Sequence, residues 1–226
     1  MTKFLSPIMD NYTKLILILE IKVDQLKSAE LDKQGKNILG MLSNMLQNVK
    51  DLEFPKILLK VDLSLDLELF ILSLLTSNAG GVIKQLSQVY PRTNENLLLE
   101  RKVKLAEQLA LIGDAILKAA FYTYISELPH DEIDMLSKTL LKRNINAIEG
   151  TFTELSKNLV SNENLEKLWL SWEIESSLGE QLLPNSATHS RATIVEALIG
   201  GLFLQNRYRE IVDLIPVWIN LIKQKK

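Results

Sequence analysis

Leu15, Leu19, Val23 and Leu26 fall at i, i+4, i+8 and i+11, and Ile38, Leu42, Met45, Val49 and Leu52 continue that kind of spacing a short way on. Apolar residues at this period line one face of a helix. Two such stripes in succession predict an antiparallel helical hairpin, closed at Phe54-Pro55 because proline disfavours helical geometry in the residue before it. Glycine and proline number only 9 and 6 in 226 residues, so the turn punctuation of a β-sandwich or barrel is missing. The expected fold class is all-α, with a helical extension over residues 1–60 and one domain over 61–226.

Further helices are expected at about Leu98 to Leu128, Asp131 to Ile148, Phe152 to Val160, Asn164 to Leu178, Arg191 to Gln205 and Tyr208 to Lys223. Turn chemistry places loops at Thr76 to Gly81, Tyr90 to Asn96 and Pro184 to His189. Val61 to Leu69 alternates apolar and polar residues, which is the period of a strand. Ser64 followed by Asp66 and Glu68 also reads as an N-cap with an acidic first turn, and helix is the preferred reading.

Lysine and arginine total 26 against 28 acids, a net charge of −2, so overall electrostatics does not advertise nucleic acid. The absence of cysteine excludes disulfides, thiolate zinc sites and a cysteine nucleophile. The apolar start Phe4 to Met9 is broken by Pro7, and no run approaches the roughly 18 to 20 apolar residues of a spanning helix. A soluble, cytoplasmic protein without a membrane segment is the expectation. No P-loop, dinucleotide fingerprint or nucleophile elbow occurs.

Two carboxylates sit inside apolar helical runs: Asp114 within Leu109 to Leu117 and Glu196 within Ile194 to Leu204. A buried carboxylate needs a cation, a hydrogen-bond donor or a proton. The segment Glu107-Gln-Leu-Ala-Leu-Ile-Gly-Asp114-Ala-Ile-Leu117 resembles the ribonuclease III signature ERLEFLGDAVL. Val195-Glu-Ala-Leu-Ile-Gly-Gly-Leu-Phe-Leu204 resembles the second motif of that family, and Glu149 to Leu165 between them resembles its EGDLSxxRxxLVSNxxL stretch. Leu67 to Gly81 is similar to the opening LLxxALTHxSY segment but lacks the histidine. The resemblance covers about Ser64 to Lys226.

The resemblance implies a helical endonuclease domain that dimerises and cleaves double-stranded or structured RNA, with Mg2+ (or Mn2+) held by carboxylates of the two signature helices. Residue by residue, it assigns Asp114 and Glu196 as metal ligands and Glu149 and Glu107 as supporting carboxylates. Phosphodiester hydrolysis suits a hard divalent cation on oxygen ligands. Gly113 and the pair Gly200-Gly201 would let neighbouring helices approach closely.

Two positions depart from the pattern. Ala110 stands where the family has its second signature glutamate, and Thr193 where it has an aspartate. The compact Mini-III class, with no separate RNA-binding domain, looks similar at both places, and Ala192 to Gly200 follows its second motif. Glu149-Gly150 and Leu159 to Asn162 look more like the ordinary bacterial enzyme. Two readings follow: a metal-dependent, Mini-III-like endoribonuclease, or a catalytically degenerate relative serving as an RNA-binding or assembly module. Asp114 and Glu196 side chains pointing to different cores, or an Asp114 satisfied by a lysine, would sink the enzyme reading. RNA affinity would rest on Lys138, Lys142, Arg143, Lys157, Arg191, Arg207 and Arg209. His189 reads as a surface or capping residue, and Trp169 and Trp172 as core or a dimer contact.

Overall fold

The structure is a computed structural model and describes residues 11–51, 67–90, 93–141, 151–173, 175, 178–179, 182–184 and 188–224. The fold is all-α, and no strand occurs among the described residues. In chain order the helices are α1 (Asn11–Lys27), α2 (Lys33–Lys50), α3 (Leu67–Leu74), α4 (Asn78–Val89), α5 (Asn94–Ser126), α6 (His130–Leu141), α7 (Thr151–Leu159), α8 (Asn162–Ser171), α9 (Thr188–Leu204) and α10 (Tyr208–Gln224).

α1 and α2 form the hairpin that the two apolar stripes predict. Asp32 caps α2 by accepting from the Gly35 N–H at 2.7 Å, and Ile38, Leu42, Met45 and Val49 are buried. The hairpin packs on the rest of the chain, α1 against α3 and α5 and α2 against α4. Lys22 of α1 is buried, with its Nζ 3.4 Å from Oγ1 of Thr93, the N-cap of α5.

α5 and α9 form the centre. Nearly every side of α9 is covered: Ala192, Ile194, Val195, Ala197, Leu198, Ile199 and Leu202 are all buried, so its apolar residues follow no single stripe. α8 and α10 pack against each other beside it, and the Trp169 ring stacks on Phe70 of α3 at 6.5 Å. Trp169 is therefore core, while Trp172 packs partly buried at its edge. α5 is long and apolar enough to cross a bilayer by length and composition, yet its inner face lies in this core.

Several boundaries differ from the sequence expectation. The segment read as a loop from Thr76 to Gly81 is helical from Asn78, with Gly80 pressed against the Leu75 carbonyl where a Cβ would collide. The expected Tyr90 to Asn96 loop ends at Thr93, which starts α5 four residues before Leu98 by accepting from the Asn96 N–H at 3.3 Å. The helix expected to run from Asn164 to Leu178 stops at Ser171, because Glu173 adopts a φ of 55°. α9 begins at Thr188 rather than Arg191, so His189 is helical. Leu67 and its successors are helical, while Val61 to Asp66, Phe54-Pro55 and the 142–148 end of the helix expected at Asp131 to Ile148 lie outside the described residues.

Candidate functional site

α5 and α9 cross where two glycines face each other's backbone. A Cβ on Gly113 would run into the Glu196 carbonyl oxygen, and one on Gly200 would run into that of Leu109. Glycine is required at both positions because the helices touch through main chain rather than side chains. This crossing sets Asp114, next to Gly113, against Glu196.

Asp114 Oδ2 accepts from Lys118 Nζ at 2.6 Å, an i, i+4 pair on the partly exposed side of α5. Glu196 is half-buried, and burial pushes its carboxyl up to about 7; the charge of Asp114 adds to that rise and Lys118 opposes it. The three side chains form one electrostatic group: two carboxylates from two helices and one ammonium.

Of the other positions assigned from the resemblance, only Glu107 is described. Glu107 is exposed and tied to Lys84 of α4 at 2.6 Å, and Glu149 lies outside the described residues. Among the described residues no group of three or more His, Cys, Asp or Glu side chains is placed to hold a metal ion. Ala110 is 6% exposed, packed into the core. Thr193 donates its hydroxyl to the His189 carbonyl at 2.9 Å. His189, Thr193 and Glu196 stand at i, i+4 and i+7 on α9, and His189 Nδ1 lies 3.3 Å from Asn162 Nδ2 at the start of α8.

Of the basic residues named for RNA, three are engaged. Arg191 Nη1 donates to Glu166 at 2.6 Å and its Nε to Glu175 at 2.9 Å. Arg207 pairs with Glu210 at 2.8 Å through Nε, and Arg209 with Asp213 at 3.2 Å. Lys138 and Lys157 are exposed, and Lys142 and Arg143 lie outside the described residues. Lys118 was legible in the sequence as the residue four after Asp114, but nothing in its surroundings marked it. Arg191 fixes the start of α9 to α8, an arrangement that no local pattern reveals.

In chemical terms, two hard oxygen donors with a single partly exposed cation fit one divalent ion more readily than two, since two ions about 4 Å apart need bridging and flanking carboxylates. No curated protein and no solved structure matches the chain. Residues 107–207, which span Asp114 and Glu196, match the family model described as the Ribonuclease III domain, and with the all-α architecture this match supports a ribonuclease III family domain in that part of the chain.

Proposed function

We propose that the chain is a ribonuclease III-type endoribonuclease, Mini-III-like in chemistry, that acts on double-stranded or structured RNA in the cytoplasm with one divalent cation, Mg2+ or Mn2+. The observation that carries this reading is the backbone-to-backbone crossing of α5 and α9 within the matched span, which puts Asp114 of one helix within electrostatic reach of Glu196 of the other. Asp114 and Glu196 would hold the cation, which supplies charge neutralisation at a phosphate and lowers the pKa of an attacking water. Lys118 orients Asp114, and it is displaceable: a partly exposed i, i+4 ion pair on a helix contributes about 0.3–0.5 kcal/mol. Ala110 and Thr193 keep the surroundings small and uncharged.

The reading includes a homodimer. Leu111, one turn before Asp114, is 74% exposed, the most exposed large apolar side chain among the described residues. A second copy covering it would set two carboxylate pairs near one duplex.

Two observations favour the second reading, a degenerate RNA-binding or assembly module, the first being the lysine-satisfied Asp114, an arrangement named at the outset as counting against the enzyme. Lys118 already neutralises Asp114, and two of the family's acidic positions are Ala110 and Thr193. Incubating the purified protein with duplex RNA, in Mg2+ or Mn2+ and then with chelator, separates the two. Metal-dependent cutting lost in Asp114→Asn supports the enzyme; a wild type that binds duplex and never cuts it supports the module.

A further inference from the structure

A pocket of about 520 Å3 opens between α4 and the N-terminal half of α5, walled by Lys84, Ser87, Leu97, Arg101, Val103 and Lys104. It lies outside the span that matches the ribonuclease III domain except at its rim, where Glu107 enters. Lys84 is held by Glu107 at 2.6 Å. Arg101 and Lys104 are exposed, and no hydrogen bond or ion pair engages either among the described residues. Ser87 Oγ on the same wall is shielded from solvent and has no hydrogen-bond partner. Glu100 is the remaining acid of the lining, leaving the cations in excess, three to two.

α5 is one uninterrupted helix, so the pocket and the carboxylate pair share an axis. At 100° per residue, the acids Glu100 and Glu107 and the buried Val103 fall within about 40° of Asp114, while Lys104 lies about 80° and Arg101 about 140° around the helix. Lys104 precedes Asp114 by ten residues, roughly 15 Å along the axis at 1.5 Å per residue. That is a few nucleotide steps along a strand.

We propose that this pocket binds the phosphodiester backbone of an RNA strand that winds around α5 from the Asp114–Glu196 pair to Lys104 and Arg101. The inference rests on the RNA reading above and extends it to a contact outside the matched domain. The Arg101 guanidinium offers a planar fork to phosphate oxygens and Lys104 a compact charge. Leu97 and Val103 provide an apolar wall for the sugar.

The test is duplex binding in EDTA, where nothing is cut, followed by fluorescence anisotropy on an RNA of ~20 base pairs across a salt series. The variant Arg101→Gln with Lys104→Gln keeps good helix formers at both exposed positions. It should bind about tenfold more weakly and lose about one to two units from the log–log salt slope, roughly one per phosphate contact. The charge-retaining variant Arg101→Lys with Lys104→Arg should recover most of the affinity. If wild type binds duplex and the Gln variant matches it in affinity and slope, the pocket is not a backbone site although the RNA reading stands. Equal losses in both variants would point to pocket shape rather than charge and overturn the proposal. A wild type that binds no duplex overturns the RNA reading along with it, even if tripolyphosphate occupies the pocket.

Discussion

Lys118 Nζ sits 2.6 Å from Asp114 Oδ2, and its charge also reaches Glu196 on the facing helix. One ammonium therefore acts on two carboxylates, and under the proposed metal binding it would compete with the cation. Lys118→Gln should tighten Mn2+ binding several-fold, read by calorimetry, because the competing cation is gone. Unchanged affinity would show that the lysine and the metal do not share a site.

Glu196 carries a pH signature. Its carboxyl is pushed from 4.5 to about 7 by burial and by the neighbouring Asp114, so the folded chain holds a proton that the unfolded chain releases. The resulting contribution to stability is complete below about pH 4.5, falls as pH rises from there through 7, and is absent above that. Thermal melts between pH 5 and 8 should show this decline, and Glu196→Gln should flatten it. Mn2+ should raise the melting temperature more at pH 8 than at pH 5. Glu175 acts in the opposite sense at lower pH: partial burial pushes its carboxyl up, hydrogen bonds from Arg191 and Trp169 outweigh that, and the stability it lends is lost as pH falls through its depressed value.

Gly113→Ala tests the crossing. The added methyl meets the Glu196 carbonyl, which is backbone and cannot turn aside. A cost of about 1–3 kcal/mol is expected from chemical denaturation, with Mn2+ affinity falling as well. A variant as stable as wild type would contradict the close approach.

Restoring the two acids should give unequal results. Ala110→Glu forces a carboxylate into a position 6% exposed and should destabilise the fold strongly, by several kcal/mol if it stays ionised. Thr193→Asp, in the partly exposed second turn of α9, should be tolerated and should raise metal affinity. Differential scanning fluorimetry with and without Mn2+ distinguishes the two.

Leu42→Ala should cost about 2–5 kcal/mol, since the side chain is fully buried in the hairpin interface. Deleting residues 1–60 should expose the apolar faces of α3, α4 and α5 and cause aggregation or a change of mass in light scattering. A deletion protein that remains soluble at unchanged mass would mark the hairpin as dispensable.

The hairpin stripes were readable because Ile38, Leu42, Met45 and Val49 face one side only, and period alone fixes such a helix. Helix ends were harder. Thr93 and Asn94 look like loop residues until the Asn96 N–H is seen to be capped, and Glu173 carries no signal for its left-handed backbone. Asp114 and Glu196 stood out as acids in apolar surroundings, and their convergence depends on glycines whose packing partners lie more than eighty residues away. Arg191 reads from the sequence as an RNA-binding candidate, yet it is engaged with Glu166 and Glu175; that pairing and the α4–α5 pocket are relations between side chains from separate segments, which no local pattern shows.

The unbroken length of α5 makes it a rigid ruler with a cap at one end and a crossing just past its midpoint. Thr93 and buried Lys22 anchor the first turn, and Gly113 seats the helix on α9. No hinge lies between Lys104 and Asp114, so the spacing between the proposed strand contact and the acids is set by helical rise alone. A one-residue insertion between them would advance the grip by about 1.5 Å and rotate it by about 100°, so register along the strand and orientation around the helix cannot be changed independently.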